Sequence, residues 1–405
     1  MNYPQGRLQF IPPRASKANK EIITTDKLMI EYLIFLAIST ATFALFGLGL
    51  NLQWGFTGLI NFGHIAFMTL GAYTTVLLSL KGVPLLLSAG IGAIVAALLG
   101  LVIGFATLRL REDYLSIVTI GTGELIRLIV NNQDLPVGNA WISGSFGVQS
   151  YVVPLSTTPN LFLRIAMIAV LTLLTGITLF SLWRWVRTAQ ISASNNIVRN
   201  DSIQQEFISR LIVGFFLGLL TVAIYISGVI GLYNNNPKAG LMLLVLLILA
   251  FVFWRLEILV HSPWGRVLKS IREDEEVPKA LGKNVFSYKL QSLTLGGAIA
   301  GIAGAFFAWQ LGAIYPDNFQ PQLTFDAWIM VILGGSGNNL GTILGAVIFF
   351  TYDALTREFL PKIVPLDVER IGAFRIMFIG LLLMLLMIWR PQGILGKKEE
   401  LTLGK

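Results

Sequence analysis

The sequence predicts an all-α polytopic membrane protein, a helical bundle of about 8 to 10 transmembrane segments, some of them broken or re-entrant. Three observations predict it. Of 405 residues, 55% are hydrophobic and only 13% charged, against roughly 25% charged in an average soluble domain. Apolar runs of spanning length, about 20 residues each, recur along the chain. Glycine-rich interruptions fall inside several of these runs. The absence of cysteine excludes disulfides, thiolate-bound metals and cysteine nucleophiles, and two histidines cannot build a zinc site alone.

Residues 1–27 are polar and basic, with Arg7, Arg14, Lys17, Lys20 and Lys27, and are expected to form a cytoplasmic tail. The apolar run that follows begins too deep and runs too long for a cleavable leader, so it is read as a retained first span. Eight stretches are long enough to span: 28–50, 59–80, 85–108, 161–183, 210–232, 240–258, 289–313 and 370–390. Two more, 114–131 and 325–351, are interrupted, the first by Gly121, Gly123, Glu124 and Arg127, the second by Gly334 through Asn339. They are expected to be broken or re-entrant.

Lys and Arg in short loops mark the cytoplasmic side. The N-terminal tail, the loop after 183, the six basic residues from Arg266 to Lys289 and the tail 391–405 all ask for the cytoplasm. Eight full spans plus two re-entrant segments satisfy that request, although Arg109, Arg111, Arg357 and Lys362 then fall outside. The net charge of +8 is assigned to loops facing anionic membrane lipid, with no nucleic acid as partner. Gly100 and Gly104, Gly297 and Gly301, and Gly341 and Gly345 are each spaced four apart, which lets helix backbones approach closely. Helices 85–108 and 289–313 are accordingly expected in the bundle interior.

The loop 262–288 is the most informative segment. Ser262 and Pro263 form a helix start, and Trp264, Val267, Leu268 and Ile271 recur at helical spacing. A second short helix is expected from Glu273, Asp274, Glu275 and Glu276 through Lys279, Ala280 and Leu281 to a stop at Gly282. A bare solvated loop accounts for the charges; the preferred reading is a cytoplasmic helical elbow that docks a separate ATPase. No GxxxxGK[ST] phosphate loop occurs in the chain, so ATP hydrolysis belongs to another polypeptide.

The stretch from Ser262 to Arg266, with Arg272 to Glu275 and Ala280 to Gly282, resembles the coupling loop of the branched-chain amino acid ABC transporter permeases of the LivM type. Ordered blocks follow the same family pattern: Gly47 to Leu59, Gly63 to Tyr73, Leu108 to Leu115, Gly123 to Leu128, Val331 to Gly335, and Trp389 to Gly393. The resemblance implies a permease subunit of a bacterial plasma (inner) membrane importer for leucine, isoleucine, valine or a wider neutral set. It implies a second permease subunit as heterodimer partner, two ATP-binding subunits, and an extracytoplasmic substrate-binding protein, working by alternating access. Departures are the extra apolar pair within 155–235, Ser143 to Gly147 in place of a Thr-Gly-Gly pattern, and Gly341-Thr342 in place of Gly-Pro.

The expected coupling residues are Arg272, Glu273, Asp274, Glu275, Glu276, Ala280, Leu281 and Gly282. For the translocation path the candidates are Asn51, Gln53, Asn61, His64, Glu124, Asn338 and Asn339, because polar groups in the membrane need partners or water. A helix break stabilised by its own side chains accounts equally for the first four, Glu124 and Arg127 pair naturally on one helix face, and a turn accounts for the two asparagines. No cofactor is implied, and the chain is expected to be a transport subunit rather than an enzyme. A permease for urea or short-chain amides is an alternative. A gradient-driven transporter ranks lower, since Glu124 is the one clear titratable candidate. A membrane enzyme lacks any paired catalytic constellation.

Overall fold

The computed structural model describes residues 17–109, 112–138, 140–156, 160–195, 201–363 and 368–396. Arg7, Arg14, Arg111 and residues 397–405 lie outside them. The described chain is helical apart from two short antiparallel strand pairs, and nine of its helices are long and apolar enough to cross a membrane.

Helix α1 (Lys17–Leu50) runs into a π-helical turn, Asn51–Gly55, in which the Phe56 N–H donates to the Asn51 carbonyl five residues back at 3.0 Å. The predicted span 59–80 is helical only as α2 (Ile65–Leu80). Sixteen residues reach about 24 Å, short of a hydrocarbon core of about 30 Å. The cause is local. Gly58 has φ +83°, and Gly63 lies with its backbone directly on the Thr119 carbonyl, where a Cβ would collide. Residues 56–64 therefore thread between helices instead of coiling.

Helix α3 (Leu85–Thr107) is followed by α4 (Glu112–Asn132). The expected interruption in 114–131 is not observed: Gly123 faces Gly63 and Ile65, and Gly121 faces open space, so neither breaks the helix. A hairpin of β1 (Asp134–Val137) and β2 (Ala140–Ser143) follows, then β3 (Val148–Gln149), and a helical pair, α5 (Leu161–Asn195) and α6 (Asp201–Tyr233). Next come α7 (Pro237–His261), the elbow helices α8 (Pro263–Glu273) and α9 (Glu276–Ala280), α10 (Val285–Leu311), and β4 (Ala313–Ile314), which pairs with β3. The stretch 325–351 divides, as expected, into α11 (Gln322–Gly334) and α12 (Asn339–Ile363), because Gly335 (φ +115°) and Gly337 (φ +75°) turn the chain where side chains are disfavoured. Helix α13 (Val368–Trp389) completes the set.

The glycine pairs do what their spacing predicts. A Cβ on Gly301 would lie 2.7 Å from that of Ala96, Gly100 faces the Leu293 carbonyl, and Gly341 and Gly345 lie on the α11 backbone. Helix α10 is the buried axis of the bundle. Helix α3 is not interior as expected: one face packs on α10, while Leu86, Ile94, Leu98, Val102 and Phe105 form an exposed opposite face. Gly92, Ala93, Ala96, Gly100 and Gly104 are buried on the packed side of α3.

Helix directions revise the crossing count. Gln310, at the end of α10, contacts Ser39, whereas Gln53 bonds the Leu293 carbonyl and Gly55 bonds Arg272 of the elbow. Helix α1 therefore runs toward the elbow, and Lys27, where its apolar span begins, lies toward the far end. Of the expected cytoplasmic tail 1–27, residues 1–16 lie outside the described residues. Helix α4 accounts for this direction. As a full crossing it reverses α1, and it brings Arg109, stacked 5.5 Å over the Phe286 ring, to the elbow end. Arg109, the stretches 184–195, 201–210 and 262–283, and the segment 390–396 then share one end.

Candidate functional site

The elbow is built by its sequence. Ser262 occupies the N-cap position with Pro263 in the first turn, although the Ser262 hydroxyl donates to the Leu259 carbonyl at 2.6 Å rather than capping α8. Gly265, Leu268 and Ile271 face the bundle, and Trp264 donates to Gln291 at 2.7 Å. Asp274 accepts the Glu276 N–H at 2.9 Å and so starts α9. Gly282, at φ +72°, ends it.

The acidic run does not act as one surface. Glu275 turns inward onto Lys289 and Lys279; burial opposes its ionisation, but those two ammonium groups outweigh burial and hold the carboxyl below the usual glutamate range. Glu273 and Glu276 stay exposed, with Lys279 3.0 Å from Glu276. Val277 and Leu281 are 50% and 74% exposed and flank Ala280, making an apolar tip beside these carboxylates. Arg272 points the other way, donating to the Gly55 carbonyl at 2.6 Å.

The predicted path residues fall into three groups. Gln53, Asn61 and His64 are fully buried around the break after α1. Gln53 donates to the Leu293 carbonyl at 3.1 Å and accepts from Asn61 at 2.8 Å, and Asn61 in turn accepts the Gly63 N–H at 2.9 Å. Trp328 donates to the Asn61 carbonyl at 3.1 Å. The His64 ring lies between Phe46 and Phe67 with Nε2 3.2 Å from the Phe46 carbonyl, and its buried Nδ1 has no hydrogen-bond partner among the described residues.

Asn51, Asn338 and Asn339 form the second group, at the elbow end. Asn51 accepts the Gly337 N–H at 2.9 Å and donates to Asn339, which donates to Glu257 at 3.1 Å. Asn338 accepts the Gly341 N–H at 3.0 Å, capping α12, and donates to the Leu395 carbonyl at 2.9 Å. An open cleft of about 400 Å³ adjoins this group, with Phe56, Trp185, Glu257, His261 and Lys269 among its walls.

Glu124 stands apart at the far end. It pairs with Arg127 at 2.6 Å, and Arg127 also reaches Asp317 at 2.9 Å, as the helix spacing predicts for the first pair. Sequence reasoning missed Glu257, legible only as a lone carboxylate in the apolar run 240–258. It also missed the buried hydroxyl pair of Thr57 and Ser292 at 2.7 Å, for which the sequence carries no signal.

Comparison with known proteins adds the following. The family model described as branched-chain amino acid transport system / permease component matches residues 32–387. The chain is 29% identical over 362 residues to the high-affinity branched-chain amino acid transport system permease protein LivM of Escherichia coli (strain K12), covering 89% of this chain and 69% of that protein. It is 25% identical over 366 residues to the probable branched-chain amino acid transport permease protein LivM of Methanocaldococcus jannaschii, covering 88% and 90%. It is 23% identical over 367 residues to the permease protein LivH of Salmonella typhimurium, covering 89% and 92%. No solved structure matches.

Proposed function

The chain belongs to the family of branched-chain amino acid transport permease components, and from that membership we propose that it is one of two membrane subunits of an importer for neutral, branched-chain amino acids. It is a multi-pass membrane component that transports rather than catalyses. In this reading a second permease subunit completes the route, an extracytoplasmic binding protein delivers substrate at the far end, and two ATPases drive transport by docking on the elbow, residues 262–284, through its exposed tip. The elbow end faces the cytoplasm of a bacterial plasma membrane, in keeping with the basic loops gathered there.

The observation that carries the reading is the elbow apex. Val277 and Leu281 stand exposed beside Glu273 and Glu276, an apolar centre with a charged rim, which is the composition of a protein–protein contact. Backbone dipoles suffice to hold a zwitterion. The names of the relatives support branched-chain substrates.

The test is uptake of labelled leucine by the assembled system. ATP-dependent uptake, competed by isoleucine and valine but not by urea or acetamide, is the expected result. Gly282→Asp and Glu276→Lys should abolish it at normal membrane insertion, since one distorts the helix stop and the other reverses a rim charge. Normal uptake by both variants contradicts the assignment of the docking surface.

A further inference from the structure

Helix α8 rests directly on the irregular backbone that ends the first membrane helix. Arg272 donates to the Gly55 carbonyl at 2.6 Å, the Lys269 ammonium lies 5.7 Å over the Phe56 ring, and Gly58 packs beside Arg272, whose Cα an added Cβ would meet in ordinary contact at 3.5 Å. The local backbone bonds run from Phe56 to Asn51, from Gly58 to Trp54 and from Leu59 to Gln53. They pass over the Gly55 carbonyl, which Arg272 takes.

The same π-helical turn is held along its length. Asn51, at its start, bonds the break between α11 and α12; Gln53, in the middle, bonds the α10 backbone and Asn61; and Thr57, just beyond it, shares a hydroxyl contact with Ser292. A π-helical turn carries one residue more than the α-helix it interrupts. A force on its terminal carbonyl is applied where that extra residue is accommodated.

We propose that Arg272 is the positioning residue through which movement of the elbow reaches the membrane-embedded segment 51–64. The proposal rests on the reading of the elbow as the ATPase docking site, but it assigns Arg272 inward to the bundle and not to the exposed docking tip. A rigid elbow displacement has either to carry the Gly55 carbonyl with it or to break a charge-assisted hydrogen bond. Carrying it shifts the joint of Gln53 and Asn61, where the non-helical backbone crosses the bundle.

The experiment uses the complete complex in proteoliposomes with its binding protein, reading ATP hydrolysis and amino acid uptake together. Arg272→Ala should hydrolyse ATP close to the wild-type rate while uptake falls roughly tenfold or more. Arg272→Lys should recover part of the uptake, because an ammonium reaches a single carbonyl. Parallel loss of both activities, or loss of neither, overturns the proposal. A second test oxidises Thr57→Cys with Ser292→Cys in a chain that has no other cysteine. The locked complex should hydrolyse ATP, block uptake and recover with reductant; full uptake in the oxidised state overturns the proposal. A wild-type complex that takes up substrate without ATP overturns the underlying reading instead.

Discussion

Asn51 and Asn339, 288 positions apart in sequence, join their side-chain amides at 3.2 Å, and both residues are buried. The contact ties the π-helical turn that ends α1 to the start of α12, and through Asn339 to Glu257 of α7. Three separate stretches of chain thus meet at the elbow end through two amides and a carboxylate. Removing Asn51 leaves the Gly337 N–H and the Asn339 amide without this partner. Asn51→Leu is expected to cost about 1–3 kcal/mol. Thermal unfolding in detergent checks it, and an unchanged melting temperature contradicts the structural role.

Close backbone approach sets a second expectation. A Cβ at Gly63 meets the Thr119 carbonyl, and one at Gly334 meets the Gly341 carbonyl, with main chain on both sides and no flexible side chain to give way. Gly63→Ala and Gly334→Ala should sharply reduce the yield of monodisperse folded protein in size-exclusion chromatography. Gly121→Ala is the control, because nothing lies within 4 Å of the added group. It should fold at least as well as wild type, since alanine favours the helix.

The anchoring of α9 by Glu275 has a defined pH window. Its carboxyl is held below the ordinary value of 4.5 by Lys289 and Lys279 against the opposing effect of burial. A depressed carboxylate adds stability that is present above 4.5 and lost as pH falls through the lower folded value. Hydrogen exchange across 273–282 should be corrected for intrinsic rate and compared between wild type and Glu275→Gln. The difference is expected to be constant at neutral pH and to shrink only below 4.5; a difference that vanishes near pH 7 contradicts the assignment.

Sidedness follows from the helix directions. Lys81, Ser145 and Ala280 are exposed, the first two toward the far end and the third on the elbow. Single cysteines at Lys81 and Ser145 should label from outside intact cells, and one at Ala280 only after permeabilisation. Labelling of all three from one side contradicts the arrangement.

The sequence shows the spans, the elbow and the packing glycines because each is a local pattern: run length, a cap followed by periodic apolar residues, and small residues four apart. Hydropathy places the break before α2 inside a span because it does not register Gly58 and Gly63, whose constraints are a positive φ and contact with a carbonyl contributed by another helix. The same blindness made α4 look interrupted, since a glycine breaks a helix or packs it according to what lies opposite. Counting α4 as re-entrant reverses the direction of α1 relative to the elbow. Among site residues, Asn51, Gln53, Asn61 and His64 are legible as polar groups needing partners, but Asn339 of α12, Leu293 of α10 and Trp328 of α11 partner the first three, and the Phe46 carbonyl of α1 partners His64. Arg272 was legible as basic and elbow-borne. Its inward direction was not, because that depends on a carbonyl 217 residues away.

The most direct test of the account is co-purification from detergent-solubilised membranes, comparing wild type with a chain in which residues 273–276 are alanine, with bound proteins identified by mass spectrometry. The account predicts that wild type recovers an ATPase and a second permease, and that the variant keeps the permease and loses the ATPase. Isolation of both chains as the same self-contained oligomer, with no ATPase in either, contradicts it.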